Sequence, residues 1–561
     1  MKTKEASLRR RLLFSTPAWS VRVPALALAG VASGALLLTS PRAACAYNFY
    51  NGQYQGKDLT IDLDTTVEYS NIYRVNDPSA ILLNNVNGDE GDRDFRHGFV
   101  SNEFEATPIF DVKYGNYGVH VSGEFYLNTV YLQHNQNNSP GTFNPISTSD
   151  NTSFTSATRN NNGENAKLLD AFVYGSQYFG ANNSQQVSLK FGRQTLLWGQ
   201  SLLFASDGIS AGQAPIDIQV AQGTPNALAQ QVFLPVGQAV LTYQPNNWLT
   251  LQGYYQFEWE PDNFQGVGAY FSSADILDKG GQRLLLGSTN AGSALYRVKD
   301  NRPPVDDGQF GISAQVSQGN FDYGFFALRY DAKAPELYTG APQPTQNSSP
   351  NNVGSYWLVY PRHIQLYGAA GSTTYGPVNI GVDFSYRRNA PLVSGAEQSL
   401  SFPGSANAGA LYAVGQVLNF QISQIYVSPP LPLDPGGVSI SAEEDINSVV
   451  AIDKNRAALT PDRQATAAAF QVIISPTYFF SALPNIQINF PVGLEAGLFN
   501  RSEFDSSENH GVGTVNCGVT AVYKQTWTAG LVYQDYLGAP NTSYNGLADR
   551  GYVGFNIEHT F

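Results

Sequence analysis

The chain of 561 residues has few of the groups that stabilise a small secreted domain or bind nucleic acid. It contains two cysteines, Cys45 and Cys517, and six histidines. If export removes residues 1–46, Cys517 is the only cysteine left, which excludes an intrachain disulfide. The same cleavage leaves 25 Lys and Arg against 44 Asp and Glu. We expect no nucleic-acid partner, because phosphate binding favours a basic surface.

Long apolar runs are also missing, except near the N-terminus. Lys2, Lys4 and the arginines at 9–11 precede an apolar stretch over 23–38, and small residues flank a cut after Ala46. This order predicts a secretory signal peptide over 1–46 and a mature chain over 47–561.

What the chain does contain is regular alternation of apolar and polar residues. In LTLQGYYQFEWE (249–260), Phe257 and Trp259 share one strand face with Leu251, and Glu258 and Glu260 share the other. The pattern recurs in DLTIDLDTTVEY (58–69), VHVSGEFYLNTVY (119–131) and VNIGVDFSYR (378–387). Alternation over about ten residues is typical of tilted membrane-spanning strands. It predicts that Phe257 and Trp259 face lipid, whereas the two glutamates face a watery lumen.

The connections favour the same architecture. Tight turns at 115–116, 245–247, 376–377 and 524–525 separate long polar stretches such as 133–166. We therefore predict an all-β fold, a single antiparallel transmembrane β-barrel of the outer-membrane type with short periplasmic turns and long external loops. At roughly ten residues per strand, we expect about 16 strands, within limits of about 14 and 18. The expected localisation is the cell outer membrane, whose lipids would contact the barrel.

The C-terminal sequence GYVGFNIEHTF predicts a final strand. Phe555, Ile557 and the terminal Phe561 share its apolar face. Outer-membrane proteins use such a strand as an assembly signal, so the barrel-assembly machinery is an expected partner.

Strand parity assigns a set of charged residues to the lumen. They are Asp62, Asp64, Glu68, Glu124, Lys190, Glu258, Glu260, Asp383 and Arg387. Rings of one charge sign select permeants by charge, so an open pore with this lining should prefer cations. The alternative is that the acids form satisfied networks with Lys190 and Arg387 that hold the barrel together.

Covalent chemistry and cofactors are not predicted. The histidines are His97, His120, His134, His363, His510 and His559. None lies in a Ser-rich or Asp-His block of the kind that catalytic barrels need, so we expect no enzymatic activity and no cofactor.

The run NVNGDEGDRDF (85–95) is acidic. It contains Asp89, Glu90, Asp92 and Asp94 beside glycines, but it lacks the spacing and the terminal Glu of an EF-hand loop. We interpret it as a solvated acidic loop rather than a calcium site, and we predict no metal site.

Several segments in order resemble one family. They are FRHGFVSNEFEATPIFDVKYG (95–115), GRQTLLWGQS (192–201), QFEWEPDNFQGVGAYFSSAD (256–275), YPRHIQLYG (360–368) and LADRGYVGF (547–555). Together they resemble the large outer-membrane proteins of family thirteen-oh-two of the domains of unknown function. The family motif falls on Gly192, Arg193, Gln194, Trp198 and Gly199. This chain departs from the family at Gln200, at Arg362-His363, at Gly551, and in the block 214–236, which lacks the Arg, Glu and Lys that the family tends to place there.

Around this motif, strand parity places Arg193 on the lipid-facing side. Its charge is then expected to lie beyond the hydrocarbon band, to reach the headgroups by snorkelling, or to mark a bulge. Trp198 is interpreted as an interfacial aromatic. The connections 199–236 and 261–308 are candidates to fold inward and constrict the pore.

The resemblance implies an outer-membrane channel or facilitator for small hydrophobic or amphiphilic compounds. One alternative is a non-porin barrel subunit that works with an efflux-type inner-membrane transporter and a periplasmic partner. A second alternative is a structural or adhesive barrel acting through its external loops.

Overall fold

The computed structural model describes residues 47–277, 279–287, 292–305, 307–342, 351–399, 409–431, 436–480 and 485–561. The predicted signal peptide lies outside these residues. In the described part of the chain, every helix is too short or too polar to cross a membrane.

The described chain is dominated by β-strands. The first twelve are β1 Tyr47–Tyr54, β2 Lys57–Arg74, β3 Gly98–Tyr114, β4 Tyr117–Asn128, β5 Glu164–Phe179, β6 Gln185–Gln194, β7 Val236–Gln244, β8 Leu249–Gln256, β9 Arg283–Leu285, β10 Ala294–Arg297, β11 Gln309–Gln318 and β12 Phe321–Tyr330. The others are β13 Glu336–Gly340, β14 Asn352–Val359, β15 Ile364–Tyr375, β16 Val378–Pro391, β17 Glu397–Ser399, β18 Val414–Val427, β19 Val438–Lys454, β20 Thr466–Phe479, β21 Ile486–Asn489, β22 Val492–Phe499, β23 Gly513–Tyr523, β24 Trp527–Leu537 and β25 Tyr552–Thr560.

Within the described residues, helical turns occur only in the connections. The α-helical ones are Glu90–Asp94, Ser156–Thr158, Ile218–Gly223 and Ala229–Val232, and Arg159–Gly163 is a π-helical turn. The 3₁₀ turns are Leu82–Asn84, Thr129–Leu132, Ala181–Asn183, Ile209–Gly212 and Arg456–Ala458.

An antiparallel barrel of eighteen strands forms the body of the molecule. Its strands are β2 to β8, β11, β12, β15, β16, β18, β19, β20, the broken strand β21–β22, β23, β24 and β25. The barrel closes where β25 pairs with β2, from Thr66 opposite Thr560 to Arg74 opposite Tyr552. β1 pairs with the first half of β2 and covers the edge that β25 does not reach. Closure pairs the backbone N–H and C=O groups of neighbouring strands all the way around the barrel, whereas an open sheet would leave those of its edge strands unpaired.

The predicted barrel is therefore confirmed, but it has eighteen strands rather than about 16. Part of the difference lies at 414–479, where alternation is hard to follow around the alanines at 467–469. This region forms three long strands, β18, β19 and β20. The alanines are buried beside a register shift between β20 and β22, so their sequence lacks a visible polar face.

The outer face of the barrel is apolar. Along β8, Leu251 and Tyr255 are exposed, as is Phe257 just after the strand, whereas Tyr254 and Gln256 are buried. Aromatic side chains also ring the outside of the barrel near the short turns. This aromatic ring consists of Tyr117, Phe179, Trp248, Phe321, Tyr375, Phe479, Tyr523, Trp527 and Phe561.

Trp259 is an exception, and its predicted lipid-facing position was wrong. β8 ends at Gln256, so strand parity no longer applies three residues later. The Trp259 side chain is buried with Leu358 and Tyr360, and its ring centroid lies 4.8 Å from that of Tyr360.

Short and long connections alternate at the two ends of the barrel. All four predicted tight turns join consecutive strands at one end, the short-turn end. Gly115 and Gly376 have positive φ there, which suits glycine. At the opposite, long-loop end, three connections contribute β9, β10, β13, β14 and β17 to a separate five-stranded sheet. A fourth, residues 195–235 between β6 and β7, is here called the inward segment.

Candidate functional site: the barrel lumen and its inward segment

The family-like motif lies where β6 leaves the barrel wall. Gln194 and Gln238 of β7 each donate a side-chain hydrogen bond to the other's carbonyl oxygen, at 3.2 and 2.8 Å. Gly199 has a φ of +94°, and a side chain there would collide with the Asp383 carboxylate. This junction turns the chain into the barrel.

Trp198 is buried inside the barrel, so its assignment as an interfacial aromatic was wrong. Its Nε1 donates to Gln252 Oε1 at 2.7 Å, and its ring lies 5.1 Å from Tyr254 and 5.5 Å from Phe326. Although β6 ends at Gln194, Trp198 keeps the inward parity of that residue, and Leu197 beside it is exposed. Trp198 packs on inward-facing residues of the wall.

Carboxylates of the wall bind the first part of the inward segment. Asp383 of β16 accepts backbone N–H groups of Gln200 at 2.7 Å and Ser201 at 3.2 Å. Glu443 of β19 accepts three consecutive N–H groups, from Leu202, Leu203 and Phe204. Irregular backbone inside a protein needs such partners, since buried N–H groups are costly to leave unpaired.

Arg387 of β16 completes this attachment. It donates to the backbone oxygens of Asp207 at 2.5 Å and Gly208 at 3.0 Å. Asp383 and Arg387 are 2% and 1% exposed, so the inward segment covers both predicted lumen residues.

The second part of the inward segment contacts other sides of the barrel. Asp217 Oδ2 lies 3.7 Å from Nζ of Lys167, a residue of β5. Asn226 exchanges two amide hydrogen bonds with Asn516 of β23, at 2.7 and 3.0 Å. Tyr552 at the start of β25 donates to the Gly223 oxygen at 3.4 Å. The segment is thus bonded to β16 and β19 and to strands on either side of the barrel closure.

The connection 261–308 supports the inward segment from the long-loop end, as far as its described residues show. Asp262 accepts the backbone N–H of Ile216 at 2.7 Å, and Gln265 donates to Gln222 at 3.2 Å. Burial raises the pKa of the Asp262 carboxyl to about 6.

A cavity of about 350 Å³ lies between the inward segment and the short turns. Residues 197–202 line one side, and residues 183–186, 246–248 and 315–317 line the other. Its surface combines aromatic and aliphatic side chains with amides and hydroxyls. Such a lining suits molecules with both an apolar and a polar part.

The strands on either side of the barrel closure carry a different group of acids, here called the acidic wall. It consists of Glu68 of β2, Glu103 and Glu105 of β3, Glu124 of β4 and Glu558 of β25. Glu68 lies opposite Glu105 on one side and Glu558 on the other. Lys167 is the nearby counter-charge, with its Nζ 3.0 Å from Glu124. The acidic-wall residues are half-buried rather than covered.

The remaining predicted lumen residues of the strands lie towards the short-turn end. Asp62 accepts a hydrogen bond from Asn48 at 2.5 Å and is paired in register with Asp111. Asp64 is half-buried on the same strand. Lys190 is exposed, with its Nζ 5.1 Å from the centroid of the Phe172 ring.

Glu258 and Glu260 lie beyond the end of β8, in the connection at the long-loop end. Glu258 forms an ion pair with Arg193 and accepts the N–H of Gly237. Arg193 follows the outward parity of β6 and is half-buried by this pair. Glu260 is exposed. These residues therefore bind the rim of the barrel together at β6, β7 and β8.

The acidic run at 85–95 is not a solvated loop, so that interpretation was wrong. Asp89, Glu90, Asp92 and Asp94 are at most 3% exposed. Two arginines contact Asp92 Oδ1: Arg74 at 2.8 Å and Arg550 at 2.9 Å. Burial raises the pKa of Glu90 well above its usual range, and the nearby Asp275 carboxylate raises it further.

Strand parity alone would have found several acids that the sequence analysis missed. Glu103 and Glu105 alternate with exposed Phe104 in β3, and Glu443 and Asp445 alternate with exposed Ile446 in β19. Lys167 and Asp217 have no comparable signal, because their pairing depends on the path of the inward segment.

One departure from the family pattern has a local partner. Arg362 donates from its Nε to Asp307 at 2.7 Å, and His363 Nε2 lies 2.9 Å from the same carboxylate. The pair thus binds an acid of the preceding long connection.

The phenylalanines of the predicted assembly signal lie at the outer face and end of β25. Phe555, Ile557 and Phe561 are exposed at 39%, 36% and 52%. His559 stacks on Trp527 with ring centroids 4.1 Å apart.

Comparisons with known proteins give one family. The family described as "Protein of unknown function (DUF1302)" matches residues 25–561. No curated protein sequence matches the chain.

Similar solved structures include the following three, of which one is named as a porin. OccAB1 of Acinetobacter baumannii is 9% identical, with a TM-score of 0.42 over 89% of this chain and 96% of that one. OccAB4 of the same organism is 9% identical, with a TM-score of 0.41 over 89% and 98%. A BenF-like porin from Pseudomonas fluorescens is 10% identical, with a TM-score of 0.41 over 90% and 98%. Scores below 0.5 do not establish a common fold, so the architecture stands on the strand pairings of this chain.

Proposed function

Because the chain belongs to the family described as "Protein of unknown function (DUF1302)", whose name assigns no activity, we propose a function from the lumen: a non-enzymatic outer-membrane channel. The acidic wall inside a closed barrel carries this proposal. The apolar outer face and the aromatic ring support contact with the lipids of the outer membrane, with the short turns on the periplasmic side. The exposed residues of β25 support recognition by the barrel-assembly machinery.

The acidic wall supports a preference for cations, since fixed negative charge raises the local concentration of positive ions. The inward segment would narrow the path and leave the acidic wall as one of its sides. The test is the reversal potential of the purified protein in a planar bilayer under a KCl gradient. We expect stable current steps with potassium preferred. A preference for chloride would contradict the proposal.

The cavity supports small amphiphilic compounds as the permeant class. Benzyltrimethylammonium is a suitable probe, because it joins an aromatic ring to a cation, and tetramethylammonium is its control without the ring. Longer blocks of the single-channel current by the aromatic probe are expected. Equal blocks by both ions would remove the amphiphilic preference and leave the channel itself intact.

A second candidate is a barrel that works with an inner-membrane transporter and a periplasmic partner. The bonds from the inward segment to several sides of the barrel favour it, because opening a wide path would require many of them to break. A barrel that shows a heat-dependent gel shift but conducts no current would support this candidate. Chemical cross-linking from the short-turn end in intact cells would then identify the partner.

A further inference from the structure

A buried group of three carboxylates lies where three parts of the chain meet. Asp207 belongs to the inward segment, Asp445 to β19, and Glu508 to the connection between β22 and β23. One carboxylate oxygen of each residue lies within 4.8 Å of the other two. The three residues are between 0% and 4% exposed.

Each carboxylate keeps one oxygen without a hydrogen-bond donor. These atoms are Asp207 Oδ1, Asp445 Oδ2 and Glu508 Oε1, and all are buried. Asn447 donates to Asp207 Oδ2 at 3.3 Å and to Glu508 Oε2. Buried acceptors without partners are rare, and each one needs an explanation.

Two buried amide side chains of β18 lie on the strand next to Asp445. Asn419 is 1% exposed and points its carboxamide at Asp445, with Nδ2 donating to Asp445 Oδ1 at 2.8 Å. Its Oδ1 has no donor, and neither does Oε1 of Gln421, which is 1% exposed. Asn419 thus adjoins the carboxylate group directly, and Gln421 lies opposite Asp445 in the register of β18 and β19.

Protein cations do not balance the negative charge. Within the described part of the chain, no Lys or Arg forms an ion pair with these three carboxylates. Arg387 is close, but it binds the backbone oxygens of Asp207 and Gly208. Such a group of acids must take up protons or bind a cation.

We propose that Asp207, Asp445 and Glu508 form a calcium site that fastens the inward segment to β19 and to the connection at 500–512. Calcium accepts about six to eight oxygen ligands in flexible geometry, which suits a set of carboxylates and amide oxygens from separate elements. Magnesium usually retains several waters, which a buried site of this kind disfavours.

The test is calorimetric titration of the full mature chain, refolded in detergent without lipopolysaccharide, with calcium chloride. We expect saturable binding of one calcium ion per chain. Glu508→Gln and Asp445→Asn should each weaken binding by roughly tenfold or more, because calcium affinity depends on the number of charged ligands. Asp453→Asn is the matched control, since Asp453 is an exposed acid of the same strand. It should titrate as the wild type does.

The absence of saturable calcium binding to the wild type would overturn the proposal. Unchanged binding in both Glu508→Gln and Asp445→Asn would overturn it as well. If a variant fails to give a folded, heat-modifiable barrel, thermal unfolding of the wild type with calcium or with a chelator decides. Calcium is expected to raise the unfolding temperature, and an equal temperature in both conditions would contradict the site.

Discussion

The acidic wall and the wall formed by β16, β18 and β19 use the same residue types differently. On the acidic wall, Glu68 and Glu105 are half-buried and lie opposite one another across neighbouring strands. On the other wall, Asp383 and Glu443 are fully buried because they accept the backbone N–H groups of the inward segment. An acid on the inner face of a barrel therefore does not by itself indicate a conducting path. The course of the loops decides whether it meets solvent or holds backbone.

The largest effect is expected from removing an anchoring carboxylate. Glu443→Ala leaves three N–H groups of the inward segment unpaired, at a cost of about 2–3 kcal/mol, because hydrogen bonds to charged groups are the stronger ones. Hydrogen exchange of residues 199–208, followed by mass spectrometry, should accelerate by roughly 30- to 150-fold. Glu444→Ala is the control, since Glu444 lies next to it with opposite parity. Equal acceleration in both variants would contradict the anchoring role.

Removing charge from the acidic wall should change ion selectivity and leave the inward segment in place. In the double variant Glu68→Gln/Glu105→Gln, potassium preference should fall by about fivefold, since loss of the two partly solvated charges together removes roughly 1 kcal/mol of attraction. Exchange of residues 199–208 should not change. The reversal potential in a KCl gradient measures the preference. Asp383→Asn is the matched comparison, with unchanged selectivity and faster exchange expected. If both variants changed selectivity equally, the two walls would have the same role.

Lys167 joins the acidic wall to the inward segment. Lys167→Met removes its pairs with Glu124 and Asp217, so the net negative charge of the lumen increases. Potassium preference should rise by roughly twofold to fivefold, in keeping with a partly solvated charge. Exchange at 214–223 should also accelerate. Lys190→Met is the control for the exchange effect. It also removes a positive charge from the lumen, but hydrogen exchange at 214–223 should remain as in the wild type.

The smallest effect is expected at the far end of the inward segment. Asn226→Ala removes the amide pair with Asn516, which is worth about 1 kcal/mol. Exchange at 224–228 should accelerate by roughly fivefold. Asn516→Ala should give a similar result, and the double variant should add little, since both substitutions remove one interaction. Fully additive effects would show that the two amides act separately.

Much of the barrel could be predicted from local patterns. Phe257 and Tyr255 face outward as their parity requires, and the turns at 115–116 and 376–377 connect adjacent strands. The parity of Trp259 failed because β8 ends at Gln256, and the sequence has no clear signal for that end. Strand number was underestimated where buried alanines replace the polar face of β20.

The candidate site was harder to predict because its contacts are long-range. The family-like motif indicated where the chain leaves β6, and the parity of Gln194 agrees with Trp198 inside the barrel, but the partners of Asp383 do not follow from spacing. The acidic run at 85–95 was misinterpreted for the same reason. Asp92 pairs with Arg74 of β2 and with Arg550, and Arg550 belongs to the last connection of the chain, far from Asp92 in sequence.

The sequence by itself determined the alternating strands, the short turns and the two faces of the barrel wall, because side chains of a strand alternate with a period of two. Tertiary structure alone decided which inward acids remain half-open and which are covered. That choice depends on where residues 195–235 pass inside the barrel. Each backbone group buried along this path needs a partner, and Asp383 and Glu443 supply partners from strands far away in sequence.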